Sequence, residues 1–313
     1  MTRIAVASRS FSRNPVLRAE LGAKYHEVTF SDSPSVLEGD ALIAMLRGHD
    51  RAIIGLENND EEVLTQVPEL RIISKYGVGL DRVDLPALAR HGVRLAWTGG
   101  VNRRAVAELT LAFAIALLHR VPESSLTLRG GRFRPLVGRQ LTGRVVGIVG
   151  CGFVGQDLVA LLAPFGCRVL AHDIRDYPAF YAAAGVEAVG LDRLLLEAEI
   201  VTLHVPLDAS TRGMIGAAEL ARMQKGAFLI NAARGGLVNE PALIEALSIG
   251  HLAGAAFDVF EMEPEANPEL LALPTFLGTP HIGGSTAEAQ LAMGRAAIAG
   301  LEAARAVGDG WPA

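Results

Sequence analysis

The chain has 313 residues, half of them hydrophobic, which is more than one compact core usually holds and enough for two. Its 29 lysines and arginines face 34 aspartates and glutamates, a formal net charge of −5, so no global positive field exists to draw in nucleic acid or an anionic membrane surface. The only cysteines, Cys151 and Cys167, form no C-x-x-C pair and lie beside no histidine at ligand spacing, so neither a disulfide nor a metal is expected and a small molecule is the expected partner.

In chain order, Met1-Thr2-Arg3-Ile4-Ala5-Val6-Ala7 leads straight into a strand-like run, without the apolar stretch and cleavage site of a secretory signal; the expected location is the cytoplasm. Residues 4–7, 52–56, 72–74, 145–149, 168–171, 200–205, 228–231 and 255–259 read as strands. Ala- and Leu-rich segments of helical period separate them, which implies βαβ units on parallel sheets. Residues 102–119 read as one long helix with Val106, Leu109, Phe113, Ala116 and Leu117 on one broad face, suited to bridging two domains. Its most apolar part, 109–118, is roughly half the length needed to cross a bilayer, so no membrane span is expected. Residues 129–144, rich in Gly and Arg, form the one linker-like stretch. Near the end, Ser285-Thr286-Ala287-Glu288 has capping-box spacing and opens an Ala-rich helix towards Arg305.

The strongest motif follows the linker. Val145-Val146-Gly147-Ile148-Val149 runs into Gly150-Cys151-Gly152-Phe153-Val154-Gly155, a buried strand entering G-x-G-x-x-G with a helical run behind it. Gly150 permits the tight turn, Gly152 lets backbone N–H groups approach a pyrophosphate, and Gly155 lets the helix pack closely on the strand. The next strand ends at Asp173, where a carboxylate accepts hydrogen bonds from an adenosine ribose. Arg175 stands two residues on, but the nearby carboxylate repels a 2′-phosphate, which favours NAD over NADP.

Three ionisable residues lie in later turns: Arg234 in Asn231-Ala232-Ala233-Arg234-Gly235-Gly236, Glu263 in Phe257-Asp258-Val259-Phe260-Glu261-Met262-Glu263-Pro264, and His281 in Thr279-Pro280-His281-Ile282-Gly283-Gly284. Ligands of open α/β sheets bind beyond the carboxyl ends of strands, so all three are candidates for the nicotinamide edge of one site. Glu261, two positions from Glu263, is the rival carboxylate.

Together with the Tyr76-Gly77-Val78-Gly79-Leu80-Asp81 loop and His204-Val205-Pro206-Leu207, these segments resemble the D-isomer-specific 2-hydroxyacid dehydrogenases, the family of D-3-phosphoglycerate, D-lactate, glycerate and formate dehydrogenases. The resemblance implies two flavodoxin/Rossmann-like α/β domains with parallel sheets, the cofactor domain (100–285) inserted into the substrate domain (1–99 plus 286–313), closure over the bound pair, and a homodimer. It implies hydride transfer between NAD(H) and a small 2-oxo or 2-hydroxy acid, with Arg234 anchoring the substrate carboxylate, His281 moving the proton and Glu263 holding the imidazole. The D-V-F-x-x-E-P spacing selects Glu263 over Glu261.

The implied cofactor set is Gly150, Gly152, Phe153, Val154, Gly155, Asp173, His204, Pro206, Ala232 and Asp258, the last accepting from the nicotinamide carboxamide. Val78 and Gly79 offer backbone N–H groups to the substrate carboxylate, and Asn102 lines the cleft. The chain departs from the family pattern at Thr98-Gly99-Gly100, at Arg82 and in the short connection from Glu263 to His281. Specificity is expected in loops around Ser8-Arg9-Ser10, Glu57-Asn58-Asn59 and Lys75-Tyr76, where Lys75 and Arg9 either bind a second anionic group or are solvated charges. Phosphoglycerate-like, hydroxypyruvate-like and glyoxylate-like acids all stay open. Two other functions share the scaffold: an NAD-sensing co-repressor, and phosphonate or formate oxidation. Little sequence follows the last helix, so no C-terminal regulatory domain is expected.

Overall fold

The computed structural model describes residues 2–308 and 311. The chain divides into two compact units, Met1–Asn102 with Thr286–Ala313, and Arg103–Ser285.

In the first unit, β1 (Arg3–Val6), β2 (Glu27–Phe30), β3 (Arg51–Ile54), β4 (Ile72–Lys75) and β5 (Arg94–Ala96) form a parallel sheet in the order β2-β1-β3-β4-β5. This is the flavodoxin-like order, whose direction of winding reverses between β1 and β3. Ala52, Ile53 and Ile54 of β3 are fully buried, as expected for a central strand covered on both faces. One cover is the helix Ala287–Ala303, which buries Met293, Ala297, Ile298 and Leu301. Gly294 lets it approach closely, since a Cβ there would lie 2.2 Å from Leu17, and Ser74 Oγ donates to the Ala297 carbonyl at 2.7 Å. The helix is capped by Thr286, whose side chain accepts from Ala289 N–H, and not by the Ser285–Glu288 box expected from spacing. Ser285 is drawn into the preceding turn, its N–H donating to the Ile282 carbonyl at 2.8 Å.

In the second unit, β6 (Val145–Val149), β7 (Arg168–His172), β8 (Glu187–Ala188), β9 (Ile200–Leu203), β10 (Phe228–Asn231), β11 (Gly254–Phe257) and β12 (Phe276–Gly278) form a seven-stranded parallel sheet, ordered β12-β11-β10-β9-β6-β7-β8. This is the doubly wound dinucleotide-binding order, with its switch point between β6 and β9. The helix Arg103–Leu118 covers one face, burying Phe113 and Leu117 with Val146, Ile148, Leu158 and Ile230. Between Val121–Arg129, itself a helix, and β6, the linker-like segment turns back on the unit: Arg139 N–H donates to the Leu118 carbonyl at 2.8 Å and Leu141 is buried.

Four strands are absent from the sequence reading: β2, β5, β8 and β12. All four are sheet edges, two to four residues long. An edge strand pairs on one side only, and the alternating exposure of Glu27–Phe30 shows why such a segment lacks the continuous apolar run that marks a central strand.

Candidate active site

The glycine turn sits at the β6/β9 switch point. Gly150 has φ +93°, and a Cβ there would lie 2.7 Å from the His204 carbonyl oxygen at the end of β9. Glycine is required there by both backbone conformation and close approach. A Cβ on Gly155 would meet the Gly150 carbonyl oxygen at 2.4 Å, which is how tightly the helix Phe153–Leu162 seats on the turn. Gly152 caps that helix without a side-chain hydrogen bond and faces open space. Its first backbone N–H groups are therefore available to an anion, helped by the helix dipole.

Asp173 follows β7. Its Oδ2 accepts from Cys151 N–H at 2.7 Å and its Oδ1 from Arg175 N–H at 2.8 Å, so the carboxylate is held beside the glycine turn. His204 Nε2 lies 3.0 Å from Thr202 Oγ1, and burial pushes the imidazole down to about 4, leaving it neutral near pH 7. Of the other expected cofactor residues, Phe153 and Pro206 are exposed, and Val154 and Ala232 are half-buried.

Arg234, Glu263 and His281 follow β10, β11 and β12, three neighbouring strands of one sheet. The Arg234 turn is built by Asn231, whose side chain accepts from Ala233 N–H at 3.1 Å and donates to the Arg234 carbonyl at 2.8 Å. The turn packs directly on the Glu263 segment, since a Cβ at Gly235 would lie 1.9 Å from the Phe260 carbonyl oxygen. Glu263 Oε1 accepts from Phe260 N–H at 3.0 Å, and Oε2 lies 2.8 Å from His281 Nδ1. The carboxylate on the histidine is thus that of Glu263, the one the motif spacing selects; the backbone N–H of Glu261 donates to Glu240.

The hydrogen bond to Glu263 raises the His281 pKa above its ordinary value, against the effect of burial. Burial pushes the Glu263 carboxyl up, but the bonds from His281 and Phe260 and the charge of nearby Arg234 together hold it below its ordinary value. An ionised carboxylate can only accept, so His281 Nδ1 carries a proton and Nε2 is the nitrogen left for chemistry.

His281 has φ +53°, a left-handed conformation unusual for a residue with a side chain. Asp258 holds it there. The Asp258 carbonyl accepts from His281 N–H at 2.8 Å; its carboxylate accepts from Thr279 Oγ1 at 2.6 Å and from the N–H groups of Ile282 and Gly283 at 2.7 Å each. Three bonds occupy most of a carboxylate's roughly four acceptor positions. The sequence reading missed this positioning role, along with Thr279 and Asn231. The Asx-turn potential of Asn231 beside Ala233 was its only local signal.

In the first unit, the Gly77-Val78-Gly79 loop follows β4. Gly77 has φ +119°, and the Val78 carbonyl accepts from Trp97 Nε1 at 2.8 Å. Asn102 is half-buried, one residue before the helix Arg103–Leu118. Arg9 is exposed, whereas Lys75 is buried and is not a solvated charge.

Residues 111–283 match the family described as D-isomer specific 2-hydroxyacid dehydrogenase, NAD binding domain. A glyoxylate reductase of Thermococcus litoralis is 35% identical over 86% of this chain and 85% of its own length. A D-3-phosphoglycerate dehydrogenase of Mycobacterium tuberculosis is 37% identical over 84% of this chain. The chain spans about half the length of that protein, 50%. Among solved structures, the pyruvate reductase of Chlamydomonas reinhardtii superposes with a TM-score of 0.82 at 31% identity, covering 96% of this chain and 95% of that one.

Proposed function

The chain belongs to the D-isomer-specific 2-hydroxyacid dehydrogenases, and from that premise we propose that it transfers a hydride between NAD(H) and a small 2-oxo or 2-hydroxy acid. The observation that carries this is the grouping of Arg234, Glu263 and His281 beyond three adjacent strand ends, on the same edge of the sheet as the glycine turn. The turn fits a dinucleotide: open space at Gly152, free N–H groups at a helix start, and the Asp173 carboxylate beside them. When bound, NADH supplies the hydride that the carbonyl carbon receives.

The protein's own residues do the rest. Arg234 offers a planar, permanently charged fork to the substrate carboxylate and draws electron density from the 2-oxo group. His281 Nε2 gives its proton to the carbonyl oxygen, which becomes the hydroxyl, and takes it back in the oxidation direction. Glu263 keeps the ring oriented and its charged form favoured. Val78 and Gly79 offer backbone N–H groups to the substrate carboxylate, as the family resemblance implies.

The test is NADH oxidation with a panel of 2-oxo acids at mildly acidic pH, for wild type, His281→Ala and Arg234→Ala. The expected result is turnover of at least one acid by wild type and a loss of about 10²–10⁴-fold in His281→Ala. NADH binding without turnover of any acid would sink the dehydrogenase reading and favour the ligand-sensing alternative. A homodimer is part of the same proposal. Phe133 and Val137, 90% and 88% exposed between the helix Val121–Arg129 and β6, are the apolar surface that supports it.

A further inference from the structure

The indole of Trp97 takes no part in the proton and hydride chemistry, yet it is bonded to the loop expected to receive the substrate carboxylate. Tyr76 extends β4, its N–H donating to the Ile54 carbonyl at 2.7 Å, and Gly77, at φ +119°, then turns the chain out of the sheet. Beyond that turn the backbone N–H groups of Gly77, Val78, Gly79 and Leu80 meet no acceptor among the described residues. These residues are half-buried, so the donors are partly withdrawn from water and unanswered within the protein. Successive N–H groups left open in this way at a strand's carboxyl end are suited to an anion.

Trp97 follows β5, the neighbour of β4, at a point fixed from both sides. Ala96 is in register with Ser74, and Leu95 exchanges backbone hydrogen bonds of 3.0 and 3.1 Å with Arg305. From that base the half-buried indole Nε1 donates to the Val78 carbonyl at 2.8 Å. A trans peptide is planar, with its carbonyl and N–H pointing opposite ways, and the N–H across from the Val78 carbonyl is that of Gly79. The bond therefore turns Gly79 N–H away from the indole. Indole nitrogen is a donor only, so it has nothing to offer Gly79 N–H if the peptide flips over. A serine or asparagine there could bond either orientation, whereas tryptophan allows one.

Resting on the dehydrogenase reading, in which Val78 and Gly79 take the substrate carboxylate, we propose that Trp97 is a positioning residue for that anion. Its indole holds the Val78–Gly79 peptide in the one orientation that presents Gly79 N–H to the carboxylate. Removing the donor lets the peptide turn and weakens the binding of any 2-oxo acid, while His281, Glu263 and the glycine turn are untouched.

The experiment uses Trp97→Phe, which keeps an aromatic ring and removes the donor. The substrate is a 2-oxo acid that wild type reduces, and oxamate serves as an unreactive, carboxylate-bearing inhibitor. KM for the acid and Ki for oxamate are expected to rise together by about tenfold, with kcat and NADH affinity close to wild type. A folded variant with unchanged KM and Ki overturns the proposal. So does one that loses kcat and NADH affinity along with thermal stability, since the indole would then be merely structural. A second measurement leaves Trp97 in place. The protein has two tryptophans, and Trp311 Nε1 donates to the Ala306 carbonyl at 3.0 Å, so Trp311→Phe assigns the two indole N–H signals in a heteronuclear NMR spectrum. An anion on Gly79 N–H polarises the Val78 carbonyl and strengthens the bond it accepts. Adding oxamate to the NADH complex should therefore move the Trp97 Nε1–H signal downfield and leave that of Trp311 in place. No movement, or an upfield one, overturns the proposal. Turnover by wild type leaves the dehydrogenase reading standing in each of these outcomes. Failure of wild type with every 2-oxo acid of the panel overturns that reading, and this proposal with it.

Discussion

His281 is asked to lose and regain a proton near neutral pH, and its surroundings bias it towards the charged form. The bond to Glu263 raises its pKa, so the protonated imidazole that reduction needs persists to higher pH than in free histidine. Reduction is therefore fastest below that raised pKa and falls as pH rises through it. Glu263→Gln keeps the shape and removes the charge. In that variant the alkaline fall of kcat/KM for reduction should move down towards the ordinary histidine value of 6.5, with NADH affinity unchanged. A pH–rate profile identical to wild type would show that Glu263 does not set the histidine's pKa. At this scale the sequence was informative where a residue's chemistry acts alone, as with the permanent charge of Arg234 or the missing side chain of Gly150. It was uninformative where chemistry depends on a distant neighbour. Lys75 is a long cationic side chain that sequence leaves open between an anion-binding and a solvated role, whereas in the fold it is buried and donates to the Gly55 carbonyl.

The turns after β10, β11 and β12 act as one device, because each is held by a residue of another turn or of its own strand end. Asp258, just past β11, holds the His281 turn that follows β12 through three carboxylate hydrogen bonds, one of them to a hydroxyl. Asp258→Ala leaves two buried or part-buried N–H groups without that acceptor and frees a left-handed histidine. Destabilisation of about 3 kcal/mol is expected. It should appear as a lower urea midpoint with little change in slope, together with a fall in kcat; an unchanged midpoint would refute the positioning role. The resemblance implied that Asp258 binds the nicotinamide carboxamide. The structure adds a structural demand on the same side chain, one that joins residues more than twenty positions apart and so leaves no trace in local spacing. The edge strands were hidden for a related reason. Leu95 and Ala96 of β5 are buried, but a three-residue strand carries too little periodicity to stand out before its pairing with β4 is known.

At the scale of the whole molecule, each unit winds outward from its own switch point, and each switch point carries polar groups on its carboxyl side: Gly150 and His204 in one unit, Ser8 and Glu57 in the other. The proposed homodimer is tested at this scale by size-exclusion chromatography with light scattering. Wild type should run at twice the chain mass, and Phe133→Ser combined with Val137→Ser should shift it to the monomer while both sheets stay folded; a monomeric wild type would refute the dimer. The βαβ alternation, the order of the family's motifs and the chemical identity of Arg234, Glu263 and His281 were determined by sequence alone, because apolar period, glycine placement and side-chain type act locally. Tertiary structure alone decided which residue caps the last helix and which lysine is buried. Those outcomes depend on the distance between groups far apart in the chain, and that distance exists only once the sheets have brought their strand ends together.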